Sequence, residues 1–168
     1  DPWNPQSVPK KHTALGRFKH ENAEVVLSND SKVIVYMGDD EKGEYIYKYV
    51  SNNKYEKNNG TGGDLLENGR LYVAHFEESG TGNWIELNEK STGFDSLDKI
   101  SVFTRDAATN AGATPMDRPE WIASNPFNAE IYCSLTNNKN RGIKKNLGGV
   151  EMPNLGPNPR EKNQFGQI

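Results

Sequence analysis

Cysteine is all but missing. Cys133 stands alone among 168 residues, which excludes an internal disulfide and any zinc site built from several thiolates. Its surroundings, Glu130-Ile131-Tyr132-Cys133-Ser134-Leu135-Thr136, alternate as a strand does, so it reads as a small buried hydrophobe rather than a nucleophile. Long apolar runs are missing as well: no stretch reaches the length of a membrane-spanning helix, and no signal-peptide pattern is visible. The chain opens at Asp1 without Met, which reads as a cleaved or internal start. There is no excess of positive charge. A net charge of -3 and a pI near 5.7 leave no electrostatic footprint for a stable nucleic-acid partner, and the short basic clusters at Lys10-Lys11 and residues 141–145 read as solvated loops. Also lacking are a phosphate-binding P-loop, a Rossmann glycine fingerprint, a His-Glu-x-x-His pair and a nucleophile elbow.

Apolar residues are scarce, at 33% of the chain with a mean hydropathy of -0.87, whereas glycine (16) and proline (9) are plentiful. Loops must therefore be extensive. Seven Tyr, six Phe and three Trp nevertheless argue against disorder. Together these point to a piece of a larger body that borrows part of its core from elsewhere.

Strand patterns cover residues 24–28 and 32–37, separated by Asn29-Asp30-Ser31, then 44–50, 70–76 and 83–87. Residues 100–104 read as a further short strand, and 106–111 as one or two helical turns. Residues 121–123 and 130–135 form a second hairpin around Asn125-Pro126-Phe127-Asn128, and everything from Thr136 onward reads as loop. Many short antiparallel strands with close turns indicate an all-β sandwich, barrel or propeller. At about forty residues per propeller blade, residues 1–168 form a partial β-propeller domain of three or four blades. Asn29-Asp30-Ser31 and Asn59-Gly60-Thr61 match glycosylation sequons, a pattern short enough to arise by chance.

Charge gathers in a few places. Arg118-Pro119-Glu120, preceded by Asp117, sets a guanidinium and two acids around a proline. Proline disfavours helix in the residue before it, so Arg118 is expected to be extended, with Arg118 and Glu120 on one side of the backbone. A phosphate-binding cation beside a metal-binding carboxylate is the minimum kit for metal-assisted phosphoryl chemistry; a surface turn with an ordinary ion pair is the other reading. Gly16-Arg17-Phe18-Lys19-His20-Glu21 concentrates cations, an imidazole and a carboxylate just before the first strand. Asp39-Asp40-Glu41 is an acidic turn suited either to a hard cation such as calcium or simply to solvent. In residues 155–163, Asn158 and Arg160 are candidates to reach a ligand, against a plain-loop reading.

In order along the chain, residues 12–21, Val35-Tyr36-Met37-Gly38-Asp39-Asp40-Glu41, residues 47–51, residues 69–74, residues 112–122, Leu135-Thr136-Asn137-Asn138 and Asn158-Pro159-Arg160 resemble the PhoX-type alkaline phosphatases, secreted bacterial phosphomonoesterases. The resemblance implies a six-bladed β-propeller around an iron and calcium (Fe3+, Ca2+) cluster, and export to the periplasm or beyond by the twin-arginine route. It implies Glu21 and Glu120 as metal-bridging carboxylates, Asp40 and Asp39 as members of the calcium shell, and Arg118 as the group that holds the substrate phosphate, with Arg118 and Glu120 at the catalytic centre. Partners would be phosphomonoester substrates and the remaining segments of the same phosphatase. The family's Thr-Cys-Glu-Glu metal segment would lie upstream, and Cys133 sits in a different strand context, so it does not take that role. Two other readings remain: a non-catalytic calcium-binding propeller fragment, and a one-calcium propeller lactonase, which has no need of Arg118-Pro119-Glu120.

Overall fold

The computed structural model describes residues 3–57, 62–128 and 130–168; the second sequon, at Asn59, lies outside them. Five strands run as an antiparallel meander in chain order: β1 (Glu24–Leu27), β2 (Lys32–Gly38), β3 (Ile46–Lys54), β4 (Gly69–Phe76) and β5 (Gly82–Glu86). Alternation in β2 sends Val33, Val35 and Met37 to one face, where Tyr47, Tyr49, Leu71 and Val73 join them. Each such side chain contributes about 1.5–3 kcal/mol relative to exposure.

That face is covered by three short helices, α1 (Glu89–Thr92), α2 (Leu97–Val102) and α3 (Thr104–Asn110), which bring Ile100, Ala107 and Ala108 onto the sheet. The strand expected at 100–104 is therefore helical. The side chain of Ser96 accepts a hydrogen bond from the Lys99 amide and starts the helix, and of α2 only Ile100 is buried. A β-branched run with a cap in front of it obeys the cap here, because the sheet needs a lid more than a further strand.

The opposite face carries Ile46 and Ala74 and is covered by Met116 and by a separate two-stranded ribbon, β6 (Pro119–Ser124) with β7 (Ile131–Leu135), through Ile122 and Leu135. Thus the described residues hold one meander and one hairpin, fewer sheets than the three or four the length allows. Residues 89–118 and 136–168 go into helices and loops instead. The all-β expectation holds: all strand pairs are antiparallel and the helices are short. No helix among the described residues is long and apolar enough to cross a membrane. Residues 136–168 form a strap that returns to the ribbon through the bridge Leu135–Gln167 and closes on itself through Asn138–Asn163.

Candidate active site

The C-terminal end of β2 is where the sequence's charged motifs meet. Gly38 ends that strand directly under the start of β6: a Cβ there would lie 2.6 Å from the Glu120 carbonyl oxygen and 2.8 Å from that of Pro119. Only glycine allows this approach. It lays the acidic turn beside the Arg118-Pro119-Glu120 segment. On the other side the Glu21 amide donates to the Gly38 carbonyl (3.4 Å), and His20 bridges Asp39.

Asp40 and Arg118 form a two-pronged pair, Nε to Oδ1 at 2.9 Å and Nη2 to Oδ2 at 3.1 Å. Nη2 also lies 3.4 Å from Glu120 Oε1. The hydrogen bond to Asp40, followed by the charges of Asp40 and Glu120, raises the Arg118 pKa above its ordinary value. Arg118 and Glu120 do converge, although not on extended backbone: Arg118 has φ of 58°, in the left-handed region. Asp117 on one side and Pro119 on the other are buried. Tertiary anchoring of these two neighbours overrides the preference of a residue that precedes proline.

Asp39, the next residue back, faces the other way. It is sealed from solvent and paired with Arg105, Nε to Oδ2 at 2.8 Å and Nη2 to Oδ1 at 2.6 Å, with the Lys19 amide on Oδ1 at 3.2 Å. Burial raises its pKa, and Arg105 offsets part of that rise. Behind it, Glu44 is buried with Oε1 3.4 Å from Asn146 Nδ2 and Oε2 3.6 Å from Arg105 Nε, and Oε2 has no hydrogen bond. Burial lifts Glu44 to about 7. His20 stacks on Phe18 at 3.7 Å, and burial lowers its pKa.

In this structure both carboxylates of the acidic turn face guanidinium groups, Asp39 that of Arg105 and Asp40 that of Arg118. Among the described residues no three His, Cys, Asp or Glu side chains group closely enough to hold a metal ion. Glu21 is exposed, and Glu120 is partly buried with its Oε1 3.4 Å from Arg118 Nη2.

A second constellation escaped the sequence. Arg141, expected in a solvated basic loop, is buried against Asp117, with Nε at 2.8 Å and Nη2 at 2.7 Å from Oδ1. Asn163 Nδ2 donates to Asp117 Oδ2 at 3.0 Å, and Asn158 Nδ2 to the Pro115 carbonyl at 3.2 Å. Asn158, a candidate for reaching a ligand, is thus buried within the fold, while Arg160 is exposed and bonds Gln167. The sequence signal was the excess of Asn in a Gly-rich tail, which a loop reading absorbs without remainder. Cys133 is half-buried in β7, and burial pushes its thiol up to about 12, as suits an inert packing residue.

The family described as Alkaline phosphatase PhoX matches residues 1–168. The chain belongs to the PhoX family. Among solved structures, "Pseudomonas fluorescens PhoX in complex with vanadate, a transition state analogue" is similar to it at 47% sequence identity and a TM-score of 0.89, covering 99% of this chain. The chain spans 30% of the length of that PhoX structure. No curated protein matches the chain.

Proposed function

We propose that this PhoX-family chain supplies the phosphate-holding part of a phosphomonoesterase that releases inorganic phosphate, completed by segments of the same polypeptide beyond these residues. The observation that carries this reading is the Arg118 guanidinium, steered by Asp40 and set beside Glu120, in a chain 47% identical to a PhoX bound to a transition-state analogue. Asp40 takes the Nε–Nη2 edge of Arg118 and Glu120 faces Nη2, so phosphate is met by Nη1 together with an Nη2 that Glu120 gives up when it turns to a metal. Arg118 binds and orients the phosphoryl group and neutralises charge that builds on it. Asp40 fixes the guanidinium plane so that no reorganisation is needed at the moment of reaction.

Glu21 and Glu120 are proposed as ligands of iron and calcium (Fe3+, Ca2+) completed from the rest of the polypeptide. Such a group, when bound, supplies positive charge to the phosphoryl oxygens and to an attacking oxygen. The meander and the ribbon are proposed as parts of a six-bladed propeller, and the whole enzyme as an exported, periplasmic or secreted protein.

The test uses the full-length protein: metal analysis together with hydrolysis of a small aryl phosphate, for wild type and for Arg118→Lys. A lysine keeps the charge but loses the planar fork, so turnover is expected to fall about a hundredfold while metal content stays the same. Full turnover in Arg118→Lys removes Arg118 from this role. Calcium without turnover in the full-length wild type supports a non-catalytic calcium-binding scaffold instead.

A further inference from the structure

We infer that Arg141 is a positioning residue for Arg118, acting through Asp117; this rests on the reading of Arg118 as the phosphate clamp. Arg118 holds a left-handed backbone at φ of 58° immediately before a proline, a conformation that its own Cβ and the following ring both disfavour. Something outside the segment must therefore hold it. On the C-terminal side Pro119 is wedged against Gly38. On the N-terminal side the anchor is Asp117, whose Oδ1 accepts from Arg141 Nε and Nη2 and whose Oδ2 accepts from Asn163 Nδ2.

Arg141 does more than neutralise Asp117. Its Nη2 also donates to the Pro115 carbonyl at 2.8 Å and its Nη1 to the Pro153 carbonyl at 3.3 Å. One guanidinium thus ties positions 115 and 117 to the strap, two and four residues from Pro119. From the β2–β3 turn, Gly43 donates its amide to the Met116 carbonyl and Met116 donates back to Glu44, which fixes the residue between. A carboxylate, three proline-flanked carbonyls or amides and a buried fork leave residues 115–117 one arrangement, and Arg118 inherits its direction from it. A lysine at 141 keeps the charge but offers one nitrogen where three are used. The direction of Arg118, and with it the grip on phosphate, should then loosen although Arg141 never touches the ligand.

The experiment measures vanadate inhibition, KM, kcat, metal content and melting temperature on the full-length protein for Arg141→Lys, Asn163→Ala, Arg118→Ala and Lys145→Ala. Arg141→Lys is expected to weaken vanadate inhibition and raise KM about tenfold in step, and Asn163→Ala about threefold, with metal content unchanged. Asn163→Ala keeps the buried charge pair, so it remains informative if Arg141→Lys does not fold. Lys145→Ala, on the exposed part of the same strap, should behave as wild type. If Arg118→Ala inhibits like wild type, the clamp reading falls and the inference falls with it. If Arg118→Ala loses vanadate while folded Asn163→Ala and Arg141→Lys bind it normally, with only melting lowered, the clamp stands and Arg141 is merely structural.

Discussion

Asp117 pairs with Arg141 where the two side chains are 0% and 1% exposed, whereas the next residue, Arg118, pairs with Asp40 where 28% and 20% of the side chains meet solvent. In the acidic turn the split lies in the carboxylates: Asp39 is sealed although its partner Arg105 is 31% exposed, and Asp40 is open. At each of these two strand ends the consecutive charges part, one carboxylate going into the fold and the next charged side chain to the surface. A guanidinium whose carboxylate is sealed cannot turn to a ligand without stranding that buried charge. One whose carboxylate is open can share itself between that carboxylate and a ligand, because water solvates what the ligand leaves uncovered. The two kinds of pair therefore suit different work: Asp39–Arg105 and Asp117–Arg141 hold the frame, and Asp40–Arg118 is the pair proposed to meet a phosphate.

The contrast breaks most visibly at the sealed pair. Arg141→Met leaves Asp117 buried and unpaired and should cost about 3–5 kcal/mol in urea unfolding of the full-length protein; a loss no larger than that of a surface mutant would show that Asp117 finds solvent. Arg118→Lys should show the reverse profile, a hundredfold fall in turnover at about 1 kcal/mol or less of stability.

Glu44 sharpens the comparison through pH. Its folded-state value of about 7 lies above its ordinary 4.5 because burial disfavours the carboxylate. Between those two values the folded protein keeps a proton that the unfolded chain has released. The stability contributed by that proton is fully present below pH 4.5 and is lost as pH rises through 7, about 3 kcal/mol in all. Unfolding measured from pH 4.5 to 8 should show this decline in wild type and not in Glu44→Gln; parallel curves would mean that Arg105 already stabilises the ionised form. The smallest effect belongs to Lys145→Ala, which removes an exposed pair with Glu151 and should shift stability by about 0.5 kcal/mol or less.

The strands were legible because alternation is local: Val33, Val35 and Met37 announce their face without help from the rest of the chain. The lid was half legible. Residues 106–111 read as helical, but Ile100-Ser101-Val102 carried a strand composition that the Ser96 cap and the exposed sheet face overruled. At the site, the grouping of Arg118 with Glu120 followed from spacing, whereas Asp40 was expected beside calcium and not on the Arg118 guanidinium. Arg105 and Arg141 did not, since each lies tens of residues from its partner: an isolated arginine in a helix and one in a basic loop look alike until the chain folds back. The extended backbone expected of Arg118 was a sound local inference that longer-range contacts overturned.

By itself, then, the sequence determined the antiparallel strands and where charged motifs gather along the chain, because these depend on side-chain type and short-range spacing. Only the tertiary structure decided which of the paired charges are sealed and which are open. That choice depends on what covers each side of the strand end: α3 over Asp39, the closing strap over Asp117, and neither over Arg118 and Asp40.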